Sequence, residues 1–158
     1  MERINRIWNH PEYQKHFMSI TGYEADRVFC KHDMSHILDV ARIMWILNEK
    51  EQLHISEELI YATALLHDIG RALQYSEKIE HEVAGGKIAP AILKDAGFVE
   101  EQIQQIVGAI ANHRKEVRET SLGSLLYRAD KLSRDCFCCK VRNECYWPDE
   151  KKNLEIKI

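Results

Sequence analysis

The sequence has few of the residues that break regular structure. Its 158 residues include only three prolines and seven glycines, with no Pro/Gly-rich linker, internal repeat or low-complexity tract. A chain of this length and continuity suits one domain around a single core. No apolar run is long enough for a membrane span, and the opening MERINRIWNHPEYQKHF lacks the apolar centre of a signal peptide. The expected location is therefore the cytoplasm, without membrane association. Excess positive charge is missing too. The net charge of -3 argues against a nucleic-acid-binding face as the dominant feature and leaves room for a local positive pocket. Alternation with period two is absent over any useful length, so no sheet is expected.

The sequence does carry helical periodicity. Residues 2–9 and 11–26 read as two helices broken at His10-Pro11, because proline suits a helix start and disfavours helix in the residue before it. A third helix is expected from Asp33 to Lys50, with Ile37, Val40, Ala41, Met44 and Leu47 on its core face. Ser56 caps a fourth, with Glu57 and Glu58 at the positive end of its dipole. That helix is apolar nearly all round, so it should be central and buried, and it should stop near Gly70. A fifth is expected from His81 to Asp95, ending at Gly97, with Pro90 kinking or dividing it. Val99 to Asn112 forms a sixth, and Leu122 to Arg134 a seventh behind the cap candidates Thr120 and Ser121. The last twenty residues read as irregular. The fold class is all-α.

Three strings carry candidate chemistry. The central helix ends in Ala64-Leu65-Leu66-His67-Asp68-Ile69-Gly70. A titratable pair in such an apolar run is costly unless something satisfies it. A divalent cation would do so, since imidazole and carboxylate together suit zinc, manganese and iron. The dipeptide alone equally suits a hydrogen-bonded core histidine beside a helix-end aspartate. His36 lies one turn before Val40, beside the core face of its own helix. Asp130 sits in the mostly apolar Leu125-Leu126-Tyr127-Arg128-Ala129-Asp130-Lys131-Leu132, where an inward carboxylate needs a cation or a salt bridge to Arg128, Lys131 or Arg134.

The ordered set His36, His67-Asp68 and Asp130, carried in HILDVA, ALLHDIGR and RADKLSR, resembles the HD-domain superfamily of metal-dependent phosphohydrolases. The resemblance spans roughly residues 30–135. It implies one HD domain over residues 1–158, with N-terminal helices before residue 28 and a cysteine-rich tail over 136–158. It implies that His36, His67, Asp68 and Asp130 hold an ion. In two-metal branches of the superfamily, histidines in the places of His81 and His113 hold a second ion, and the doublet aspartate, here Asp68, bridges the two. Taken singly, both histidines also read as ordinary helix-end residues.

The implied reaction is hydrolysis of a small nucleotide or other phosphoester or phosphoanhydride, by attack of a metal-bound hydroxide. Manganese, iron, cobalt, nickel or zinc would serve, as one or two ions per chain. Asp68 and Arg71 are the catalytic candidates. Arg71 stands where family members often carry a basic residue, and is expected to bind substrate phosphate, with Lys131 and Arg114 as weaker candidates. An HD-fold di-iron oxygenase of a small organic substrate, or an idle metal or nucleotide sensor, remain alternatives. No nucleic-acid partner is expected, and the chain is read as a monomer or homodimer.

His10, His16, His32 and His54 are background in this reading, since the spacing to Val40-Ala41 selects His36 over His32. Among the five cysteines, Cys136, Cys139 and Cys145 form C-x2-C-x5-C. Cys30 precedes His36 by as many residues as Cys136 follows Asp130, so the four thiols could meet at a structural zinc. Reduced core cysteines are the alternative. Tyr146-Trp147-Pro148 is expected to pack the tail on the body.

Overall fold

The computed structural model describes residues 1–113 and 121–157. Eight α-helices and no strand are present among them: α1 (Glu2–Trp8), α2 (Pro11–Tyr23), α3 (Met34–Glu51), α4 (Glu57–Leu66), α5 (Arg71–Glu77), α6 (His81–Ala96), α7 (Glu100–Asn112) and α8 (Leu122–Leu132). The all-α expectation holds. Cap chemistry marks the starts as expected. Asp33 accepts from the His36 amide at 3.1 Å, Ser56 from Leu59 at 3.4 Å and Ser121 from Ser124 at 3.2 Å. Thr120, the other cap candidate for α8, lies outside the described residues.

α4 is the axis of the molecule. Its apolar circumference serves two cores at once. Ala62, Leu65 and Leu66 face one core, with Ile7, Tyr13, Ile92, Leu93, Ile106 and Ile110. Ile60 and Ala64 face the other, with Val40, Met44, Leu125 and Leu126. Helices α1, α3, α6, α7 and α8 all touch it. A helix enclosed on all sides cannot turn its end to solvent, so whatever follows Leu66 is delivered into the interior.

Two features differ from the sequence expectations. α5 was not anticipated. It has seven residues, its Gly70 start has no side-chain cap, and one apolar residue, Ala72, is its buried contribution. Neither a periodic stripe nor a cap signal marks it. Second, of the two outcomes expected at Pro90, a kink or a division, division does not occur: α6 is continuous from His81 to Ala96. Proline removes one backbone hydrogen bond, a local cost outweighed where Ala89, Ile92 and Leu93 are buried on either side of it. α6 ends as expected at Gly97, whose φ of 93° needs glycine. The Gly97 and Phe98 amides close the turn on Lys94 and Leu93, both at 3.0 Å.

The tail forms three short 3-10 turns (136–138, 142–144 and 149–151). Asn153 anchors it, and of the Tyr146-Trp147-Pro148 segment Trp147 adds a contact to Arg134. The Asn153 amide nitrogen lies 2.8, 3.1 and 3.0 Å from the carbonyls of Lys131, Leu132 and Arg134. It thereby satisfies the open carbonyl end of α8. Tyr146 is 77% exposed, and Trp147 stacks under Arg134 and Lys151. A tryptophan can stay at the surface when guanidinium and ammonium groups cover its face.

Among the glycines, Gly70 has the tightest surroundings, against the first turn of α6. A Cβ on Gly70 would lie 2.0 Å from the His81 carbonyl oxygen and 2.5 Å from the Gly85 amide nitrogen. Both obstacles are backbone and cannot swing aside. Gly70→Ala should therefore cost about 3 kcal/mol, the upper part of the overpacking range, and lower the melting temperature by roughly 6–12 °C. Gly86→Ala on the same helix meets only Val107 Cγ1 at 3.9 Å, so it should leave melting unchanged or raise it slightly through helix propensity. Equal melting of the two variants by circular dichroism would contradict this assignment.

Candidate metal centre

The turn over residues 67–70 joins α4 to α5 and places His67 and Asp68 in the interior, 0% and 3% exposed. Three buried atoms there have no hydrogen-bond partner: His36 Nε2, His67 Nε2 and Asp68 Oδ2. They converge. Asp68 Oδ2 is 3.1 Å from His67 Nε2 and 3.6 Å from His36 Nε2. Buried polar atoms left this way are expensive, and a shared cation between them removes the cost.

The other oxygen of the same carboxylate faces a second group. Asp68 Oδ1 lies 3.5 Å from His81 Nε2, which is 3.0 Å from His113 Nε2. Among the described residues, two groups are compact enough to hold an ion: His36, His67, Asp68 and Asp68, His81, His113. Asp68 is common to both, with one oxygen toward each. Imidazole and carboxylate donors in this number suit a divalent transition metal, so the residues fit a cation well.

Each ligand histidine is oriented by its Nδ1 side. His67 donates to the Ala64 carbonyl at 2.7 Å and His113 to that of Ile110 at 2.6 Å. His36 Nδ1 lies 3.2 Å from Ser133 Oγ, whose own proton goes to the Asp130 carbonyl. His81 Nδ1 faces Gln74 Oε1 at 3.1 Å. These contacts fix the tautomers and leave Nε2 for the centre.

The electrostatics follow from burial against charge. Burial pushes the Asp68 carboxyl up, but the Arg71 guanidinium, then His67 and His32, hold it well below the usual carboxylate range. Burial works against charge on His67, yet Asp68 raises it. Burial and the neighbouring His67 charge lower His113. Arg71 Nε donates to Asp68 Oδ1 at 2.8 Å.

Asp130 stands differently from the expectation. It reaches the edge of the centre, with Oδ1 3.8 Å from His36 Nε2, but lies in neither compact group. Its other carboxylate oxygen is bound by the Lys131 ammonium. Burial pushes the Asp130 carboxyl up, but Lys131 and His67 bring it down to about 2. Lys131 is thus engaged with Asp130, which is one of the salt bridges weighed from the sequence. Arg128 pairs with Glu51 instead. Arg114 lies outside the described residues.

The four cysteines do not converge. No cysteine belongs to either compact group among the described residues, so the four-thiolate set is not assembled. Cys30 does sit near the tail. Burial raises its thiol, and the charges of Cys136 and Cys139 add to that. All five thiols are free, and Cys136 alone is buried. Reduced thiols of this kind serve as small packing residues without a shared ion.

Three residues near the centre were not selected from the sequence: His32, which was set aside in favour of His36, and Glu24 and Tyr75, which carried no signal. His32, in the loop before α3, places Nε2 3.8 Å from Asp68 Oδ2. Its Nδ1 contacts Glu24 at 2.5 Å, and Tyr75 donates to the same carboxylate at 2.5 Å. Burial pushes the Glu24 carboxyl up, but these hydrogen bonds hold it down to about 2. Glu24 caps the end of α2 and Tyr75 lies on the unanticipated α5, so nothing local links either to His67-Asp68.

No helix among the described residues is long and apolar enough to cross a membrane. The HD domain model matches residues 34–135. An uncharacterized protein of Clostridium beijerinckii is 46% identical over 156 residues, 99% of each chain. Ribonuclease Y of Acetivibrio thermocellus is 32% identical over 101 residues, which is 63% of this chain and 17% of that protein. Ribonuclease Y of Enterococcus faecalis is also 32% identical, over 63% of this chain and 18% of its own length. The chain thus spans less than a fifth of the length of the ribonucleases it matches. No solved structure matches. With its two ion-sized groups and a family match over residues 34–135, the chain belongs to the HD-domain family.

Proposed function

We propose that this chain is a metal-dependent hydrolase of phosphoester or phosphoanhydride bonds in a small nucleotide or similar phosphorylated molecule. The observation that carries the reading is the division of Asp68 between two compact ligand groups. A divalent cation at such a centre lowers the pKa of its water and acts as a Lewis acid toward phosphoryl oxygen. His36, His67 and Asp68 would hold one ion, with Asp130 at the edge, and Asp68, His81 and His113 a second.

The chain's own part is orientation and charge. The Nδ1 contacts hold the imidazoles toward the centre. Arg71, 21% exposed at its side chain, is fixed by Asp68 yet reaches solvent. Its planar fork can keep one N–H on the carboxylate and offer others to a phosphate. The relatives called ribonuclease Y act, by that name, on RNA. The part they share with this chain supports P–O bond hydrolysis and leaves substrate size open. The net charge of -3 favours a small substrate over a polyanion.

Three measurements test this. Protein purified without chelator should carry up to two transition-metal ions per chain by elemental analysis, and should release phosphate or nucleotide in a screen with manganese, iron, cobalt and nickel. Oxygen uptake with ferrous iron and no phosphate release would favour the oxygenase alternative. Asp68→Ala should lose metal and activity while keeping its helical circular dichroism; full activity would remove Asp68 from the mechanism. Arg71→Ala should raise KM by roughly ten- to a hundredfold, the worth of a hydrogen bond between charged groups. An unchanged KM would mean that Arg71 serves Asp68 alone.

A further inference from the structure

One histidine at the centre lies outside the motif set. His32 follows the same orientation rule as His36, His67, His81 and His113, with Nδ1 against an acceptor and Nε2 toward Asp68. Its acceptor is the strongest of the five. Glu24 is 3% exposed and takes three donors: the His32 ring, the His32 backbone amide at 2.7 Å and the Tyr75 hydroxyl. A carboxylate so supplied accepts from His32 Nδ1 and turns Nε2, the other ring nitrogen, toward the centre.

That nitrogen faces Asp68 Oδ2 at 3.8 Å, the buried oxygen without a hydrogen-bond partner. The separation is too long for a hydrogen bond and suits two ligand atoms of one ion. His32 comes as close to the His36, His67, Asp68 group as Asp130 does, which has its own single approach of 3.8 Å. Its loop is also built rather than loose. Arg27 Nε donates to the Cys30 carbonyl at 2.7 Å and Lys31 Nζ to that of Ala25 at 2.9 Å. A carboxylate that binds the far nitrogen of an imidazole is the usual support of a metal-ligating histidine, raising its basicity and setting its ring.

We propose that His32 is a further ligand of the ion held by His36, His67 and Asp68, with Glu24 and Tyr75 as its positioning residues. This rests on the metal-dependent reading above. His32 joins from a loop, so the ion is gripped from outside the helical bundle as well as from within it.

Cobalt-loaded protein tests this without any assay of activity. Each ligating imidazole that keeps its Nδ1 proton gives a paramagnetically shifted exchangeable NMR signal, and the His32 proton should be among them. His32→Gln should lose that signal and bind cobalt about a hundredfold more weakly. Glu24→Gln should keep the ligand, displace the signal and bind about tenfold more weakly, the range expected for a group that orients a ligand. A merely structural His32 would change stability and leave every shifted signal in place. An unshifted His32 proton in the wild-type protein overturns the proposal even where His32→Gln fails to fold, and so does full cobalt affinity in a folded His32→Gln. Wild-type protein that binds no cobalt overturns both this and the metal-dependent reading. Wild-type binding that His32→Gln does not alter overturns this proposal alone.

Discussion

A carboxylate at the end of a buried helix is the constraint around which the structure is arranged. Asp68 sits past the last turn of α4, a helix enclosed by two cores, at 3% exposure. An unpaired charge there would be among the most costly features a small protein could carry. The surroundings consist of groups that answer it: Arg71 on one oxygen, His67 and His36 on the other, His81 and His32 beyond. Helices α3, α5 and α6 and the loop before α3 each supply one or more of them. The charge thus ties together elements that the apolar cores alone would not bring into register.

Backbone proximity makes that convergence possible. Histidine from α6 reaches Asp68 because Gly70 lets the first turn of α6 lie against the turn that follows α4. The space for a side chain is filled by the His81 carbonyl and the Gly85 amide. A Cβ on Gly85 would lie 3.2 Å from Ile110 Cγ2 of α7, so α7, whose C-cap is His113, packs close to the same point. Packing and chemistry are therefore coupled. The two small residues that set helix spacing also set the distance between His81, His113 and the carboxylate.

The helices were legible where sequence and physics speak locally. Asp33, Ser56, Ser121 and Gly97 mark helix ends by cap chemistry, and the apolar run of α4 announces its burial. The candidate ligands were legible because three short strings each set a side chain able to bind metal in an apolar surrounding. What was missed is long-range. α5 lacks periodicity and cap, and Pro90 stays inside a helix because its neighbours are buried. Asn153 holds the tail through a bond to carbonyls some twenty residues away. Glu24 meets His32 through a closed loop and Tyr75 through the packing of α2 on α5. His32 illustrates the point most directly. Its spacing from His36 suggests the same helix face, but α3 begins at Met34, and His32 reaches the centre from outside the helix.

The charge balance of the centre connects structure to substrate. Each carboxylate near it has a cationic or proton-donating partner in the chain: Arg71 for Asp68, Lys131 for Asp130, His32 and Tyr75 for Glu24. The protein groups thus come close to neutralising one another. Divalent ions added to so nearly balanced a set would leave net positive charge at a largely buried centre, where screening by water and salt is weak. The molecule around it is acidic overall, at -3. A long polyanion would meet that surface over most of its length, whereas a compact phosphate would meet chiefly the pocket. On the proposed function, Arg71 would keep its Nε–H on Asp68, as it does at 2.8 Å, and the rest of its planar fork would be the part that meets a phosphate.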